Sequence, residues 1–112
     1  MLKYIKKSKD FKETMNNGYK IVGKFFIIFV LKDNSNTDSV YYGLTVSRKV
    51  GKAVIRNRIK RRLRVLGKEV LASEMAGLKI CLVARSYAYL GNFLDMKNEL
   101  QYGITKALKK NQ

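Results

Sequence analysis

The sequence predicts a single α+β domain over residues 1–112, a sheet of about four strands packed with helices in the order α-β-β-β-α-β-α. Three observations predict it. A chain of 112 residues can bury one modest core and is too short for two independent ones. Stretches rich in β-branched and aromatic residues alternate with stretches whose apolar residues recur every three to four positions. Hydrophobic residues at 46% and charged residues at 29% are the proportions of a folded domain, not of a disordered tail.

The elements follow in order. Ser8 is placed to cap a short helix over Lys9 to Asn17, with Asp10 favourable in its first turn and Gly18 placed to end it. Phe11 and Met15, four apart, share a face of that helix. From Lys20 the chain turns β-rich, and Gly23 divides it into a short strand and the run Phe25 to Leu31. Both faces of that run are apolar, so it is either covered twice or keeps one face for a ligand. Lys32 to Ser39, rich in Asn, Asp and Ser, reads as an exposed loop. Beyond it Val40, Tyr42, Leu44 and Val46 alternate with Tyr41, Gly43, Thr45 and Ser47, a half-buried strand whose polar face could carry phosphates or bases.

Ala53 to Val70 is the clearest helix. Ile55, Ile59, Leu63, Leu66 and Val70 fall within about 80° of arc at 100° per residue, a stripe that faces a core. Beside it run two cationic rows, Arg56, Lys60 and Arg64 on one flank and Asn57, Arg58, Arg61 and Lys68 on the other. Gly67 is expected to weaken the last turns. Lys79 to Arg85 is nearly continuous in apolar character, the mark of a central strand. Asn92 then caps a final helix with the stripe Phe93, Met96, Leu100, Ile104, Ala107 and Leu108. The strand near Ser47, the basic helix and the strand at Lys79 make a βαβ unit, right-handed by default.

Charge is where the composition departs from the ordinary. Subtracting 8 acidic from 24 basic side chains gives +16, a self-repulsion that a polyanion would neutralise. With no His, one Cys and no Trp, the chain cannot build a Cys/His zinc site, a Ser/His/Asp triad or a Cys/His nucleophile pair. Cys81, inside an apolar strand, reads as a buried structural thiol, and a lone cysteine fits a reducing compartment. The longest uninterrupted apolar stretch is far shorter than the roughly 20 residues of a membrane span, and the first residues lack a signal-peptide apolar segment. A cytoplasmic protein with no membrane partner is expected.

Between Asp38 and Glu69 there is no acidic residue, while ten basic ones occur, six of them arginine. Like charges four apart destabilise a free helix, so these rows call for a compensating partner. Arginine favours phosphate, because its guanidinium pairs bidentately with phosphate oxygens and stacks on bases.

The run from Thr45 through Arg48-Lys49-Val50-Gly51-Lys52 to Arg56-Asn57-Arg58-Ile59-Lys60-Arg61-Arg62-Leu63-Arg64 resembles the signature of the bacterial ribonuclease P protein component. The flanks agree: Asp10-Phe11 in a first helix ending at Gly18, the aromatic strand Phe25 to Phe29, and a strand ending Ala84-Arg85. The likeness is weakest after Tyr87. It implies a left-handed βαβ crossover, against the default. It also implies a ribonucleoprotein endoribonuclease that removes the 5′ leader of precursor tRNA with Mg²⁺ held mainly by the RNA subunit, which performs the chemistry; the protein alone is not catalytic. The eight scattered carboxylates, none in the basic segment, agree, since a two-metal site needs several converging on one spot.

The same resemblance maps binding to the ribonuclease P RNA subunit onto Arg48, Lys49, Lys52, Arg56, Asn57, Arg58 and Arg61. It maps a cleft for the precursor-tRNA leader onto Phe11, Met15, Ile27, Phe29, Thr45, Lys60, Arg64 and Ala84. It implies no obligate protein partner. Aromatic platforms beside a cationic row are what sequence-tolerant single-strand binding requires. Where the family often has Phe and Tyr, this chain has Met15 and Phe29, giving softer contact at one position and no hydroxyl at the other. Composition by itself does not name the RNA, and a ribosomal or other structured-RNA-binding protein is the alternative.

Overall fold

Period-two alternation and helical periodicity settle into five strands and three helices among the residues described by a computed structural model of the chain, 2–33, 35, 38–71 and 75–110. In chain order these are β1 (Leu2–Tyr4), α1 (Ser8–Asn17), β2 (Tyr19–Val22), β3 (Phe26–Lys32), β4 (Val40–Thr45), α2 (Ala53–Val70), β5 (Leu78–Ala84) and α3 (Phe93–Lys110). Short 3-10 helices lie at Arg48–Val50 and Ser86–Tyr89. The sheet order is β1-β4-β5-β3-β2. β4 runs parallel to both β1 and β5, while β3 runs antiparallel to β5 and β2.

The α+β class and the central position of β5 are as the sequence predicts, and the expected count of about four strands is close; the first element differs. The chain opens with a strand, making the sheet five-stranded, because β1 takes its register from β4 and three residues carry no period of their own. Ser8 does not cap α1 either. It is the first helical residue, and Lys7 holds the N-cap position without a side-chain bond. Asn92 does cap α3, its Oδ1 accepting from the backbone N–H of Leu94 at 2.8 Å and of Asp95 at 3.3 Å. Residues 34, 36 and 37 of the expected Lys32–Ser39 loop lie outside the described residues.

The two faces of the sheet are closed differently. Phe26, Ile28, Val30, Tyr42, Ile80 and Leu82 point to one face and bury against Ile59, Leu63 and Leu66 of α2 and Met96, Leu100 and Ile104 of α3. The predicted stripes are therefore the core stripes, each fully buried aliphatic side chain stabilising by about 1.5–3 kcal/mol. Gly67 is not a weak point but a requirement of this packing. A Cβ there would lie 2.8 Å from Cδ2 of the Tyr42 ring, which crosses the helix while its hydroxyl donates to the Leu63 carbonyl at 2.7 Å. Burial raises the Tyr42 phenol pKa far above its ordinary value. The opposite face holds a smaller cluster of Ile5, Phe29 and Cys81 under α1, flanked by Phe11, Ile27, Tyr41 and Val83. Desolvation there pushes the Cys81 thiol up to about 11.

Candidate nucleic-acid interface

The α1 face of the sheet is built in rows by strand register. Gly43, Cys81 and Phe29 are direct neighbours across β4, β5 and β3, and Thr45, Val83 and Ile27 form the next row towards the strand ends. α1 covers the first row. Phe11 drops onto Gly43, where a Cβ would sit 2.6 Å from its ring, so the absent side chain is what admits the aromatic. The second row is left open: Thr45 is exposed, Ile27 and Val83 half-buried.

At the outer edge β1 pairs with β4 only as far as Tyr42. A cleft of about 340 Å³ opens there, between Phe11 of α1, Leu44 of β4, and Lys60 and Arg64 of α2. Three predicted leader-cleft residues, Phe11, Lys60 and Arg64, thus converge from two helices far apart in sequence. Met15, 36% exposed, continues the Phe11 face of α1.

Two predicted cleft residues sit elsewhere. Phe29 is only 7% exposed, beneath α1, and offers no free ring for stacking; it forms the floor on which α1 rests. Ala84 pairs with Phe26 and belongs to the main core, so it points to the α2/α3 side. Alternation along β5 is the reason: Ile80, Leu82 and Ala84 face the long helices, and Val83, unnamed by the sequence reading, lies beside Ile27 and Thr45 instead.

The second surface is α2 and the turn before it. Arg48 and Lys49 are exposed on the 3-10 helix, and Lys52 is exposed at the N-cap. No acidic residue occupies the first turn of α2, so the positive end of the helix dipole and these cations add. Asn57, Arg58 and Arg61 are exposed on the helix, while half-buried Arg56 donates from Nε to the Gly51 carbonyl at 3.2 Å. Among the described residues, none of the ten basic side chains from Arg48 to Lys68 meets a carboxylate; the ion pairs are Lys79 with Glu13 and Asp33, and Lys97 with Glu69. Hydrogen bonds from Ser35 hold the Asp33 carboxyl below its ordinary value.

Arg62, counted in the basic run without a role, is turned inward. Its guanidinium donates to the carbonyls of Ala88, Tyr89 and Gly91. Glu99, which no sequence signal marked, accepts from the backbone N–H groups of Lys24, Phe25 and Phe26 and pins the β2–β3 turn to α3. Among the described residues no three His, Cys, Asp or Glu side chains converge as metal ligands.

This α+β scaffold sets a crossover helix, whose cations meet no carboxylate among the described residues, beside an apolar-floored cleft, a charge distribution that suits a polyanionic partner. Residues 2–108 match the family model Ribonuclease P. The ribonuclease P protein component of Bacillus pumilus is 35% identical over 107 residues, covering 92% of this chain and 86% of that one. That of Carboxydothermus hydrogenoformans is 28% identical over 108 residues, covering 96% and 92%. The Staphylococcus aureus RNase P protein structure superposes with a TM-score of 0.76 at 29% identity, covering 97% of this chain and 94% of that one. The Thermotoga maritima RNase P protein shares the fold, with a TM-score of 0.70 at 24% identity over 88% and 91%. The chain belongs to the bacterial ribonuclease P protein family, the protein component of a tRNA-processing ribonuclease.

Proposed function

We propose that the chain binds the catalytic RNA of ribonuclease P through the cationic turn and flank of α2, at Arg48, Lys49, Lys52, Arg56, Asn57, Arg58 and Arg61. The 5′ leader of precursor tRNA lies in the cleft between α1 and α2. The observation that carries the second half is the convergence of the Phe11 ring with Lys60 and Arg64 on one cleft, with the open row Thr45, Val83 and Ile27 on the sheet face that Phe11 covers. An apolar platform for bases beside cations for phosphates binds single strands without reading sequence. Met15 edges this platform, and buried Phe29 supports it from below.

No side chain on this surface needs to act as a base or nucleophile in this reading. The reaction is hydrolysis of the phosphodiester at the mature 5′ end, and the Mg²⁺ it uses is held mainly by the RNA. The protein binds leader, so that precursor is distinguished from product, and screens repulsion between RNA segments. It works in the cytoplasm and needs no obligate protein partner. No described helix is long and apolar enough to cross a membrane.

Cleavage of a 5′-extended precursor tRNA at low Mg²⁺ tests this, with protein alone, a bacterial ribonuclease P RNA alone, and both together. Activity at the mature 5′ end in the mixture and none with protein alone is expected. A folded, compatible RNA that gains nothing from the protein would reduce the reading to a generic structured-RNA binder.

A further inference from the structure

We infer that Arg62 is a positioning residue for RNA-subunit binding: it does not touch RNA but holds Tyr89, and through it the guanidinium of Arg58, in the orientation in which Arg58 meets RNA. This rests on the reading of the α2 flank as the RNA-subunit surface.

Arg58 and Arg62 lie four residues apart on α2 and so project towards the same neighbour, the 3-10 helix Ser86–Tyr89 and the residues that follow it. The end of that short helix leaves carbonyls that its own N–H groups do not satisfy. Arg62 satisfies them, donating from Nη1 to Ala88 at 3.4 Å and Tyr89 at 3.2 Å, and from Nη2 to Gly91 just ahead of the Asn92 cap. Three charge-assisted bonds on one half-buried guanidinium fix the backbone around Tyr89 and leave that guanidinium directed away from solvent.

Tyr89 is the link outward. Its ring centroid lies 5.9 Å from Cζ of Arg58, and its hydroxyl accepts from Arg58 Nη1 at 3.3 Å. Arg58 is itself exposed and has no carboxylate partner among the described residues, so without Tyr89 its long side chain would sample many rotamers. Ordering such a side chain on binding is unfavourable, and a ring that orders it beforehand removes part of that loss, a gain of about three- to tenfold in affinity.

The test is binding of a bacterial ribonuclease P RNA across a KCl series by the full-length wild-type chain, Arg62→Gln, Tyr89→Leu, Arg58→Ala and the double variant Arg58→Ala/Arg62→Gln. Arg62→Gln and Tyr89→Leu should each weaken binding about three- to tenfold with the wild-type salt slope kept, because no phosphate contact is lost. In the Arg58→Ala background Arg62→Gln should cost nothing further. Tyr89→Leu keeps the backbone carbonyls that Arg62 binds, so it tests the link even if Arg62→Gln lowers the melting temperature. A slope reduced by about 0.7 to 0.9 in Arg62→Gln would make Arg62 a phosphate contact and overturn the inference. So would an undiminished loss in the Arg58→Ala background, or wild-type affinity in both single variants. If Arg58→Ala itself binds as wild type, it is the reading of the α2 flank that fails.

Discussion

One sheet here has two apolar faces with different fates. The α2/α3 face is sealed by two 18-residue amphipathic helices whose stripes are buried in one cluster with it. The α1 face receives a single 10-residue helix, which covers the row Gly43–Cys81–Phe29 and stops short of Thr45–Val83–Ile27. What separates a sealed row from an open one is therefore the length of the covering helix and not the character of the strands. Aromatic residues divide in the same way: Phe11 and Phe29 belong to one cluster, yet one lines a cleft and the other is a foundation.

The largest effects should come from truncating what lies beneath a helix. Leu63→Ala on the sealed face should destabilise the fold by about 2–5 kcal/mol, and Phe29→Ala on the other by about 3–5 kcal/mol, both read from urea unfolding. A Phe29→Ala protein of wild-type stability with selectively weaker precursor binding would break the comparison, since the ring would then be acting as an exposed platform. Phe11→Ala should show the reverse balance. Its main effect should be a loss of about 1–3 kcal/mol in precursor-tRNA affinity with mature tRNA unaffected, measured on the assembled ribonucleoprotein; an equal loss for both tRNAs would remove Phe11 from the leader cleft.

Smaller still, Arg58→Ala should flatten the log–log salt dependence of RNA-subunit binding by about 0.7 to 0.9 while leaving the leader-dependent difference between the two tRNAs intact. The smallest effect concerns Cys81. Its folded pKa, raised by burial to about 11 against 9.0 for the free group, favours the protonated folded state. Its contribution is thus full below pH 9 and is lost as pH rises from about 9 to about 11. Stability of Cys81→Ala should fall less steeply than wild type across that window; identical slopes would mean that the thiol is not shielded by α1.

Most of the architecture was legible because its signals are local. The stripes of α2 and α3, the Asn92 cap and the apolar run of β5 are each read within one segment. β1 was not, since a three-residue strand exists only through its parallel partner. Gly67 misled for a related reason: propensity counts a helical glycine as a cost, whereas Tyr42, from a distant strand, needs the space. Arg62 and Glu99 were invisible as structural groups because their partners are backbone atoms, which no residue type advertises.

By itself the sequence determined the α+β class, the cationic helix and the kinship of its Arg-Asn-Arg segment, because composition, periodicity and motif spacing are properties of the linear chain. Tertiary structure alone decided which of those side chains meet. Strand register turned Ala84 into the core and Val83 onto the open face, the shortness of α1 exposed one row and buried another, and the close of β1 at Tyr4 let Phe11, Lys60 and Arg64 share a cleft. Those outcomes depend on pairings between residues remote in sequence, where a shift of one position sends a side chain to the opposite face.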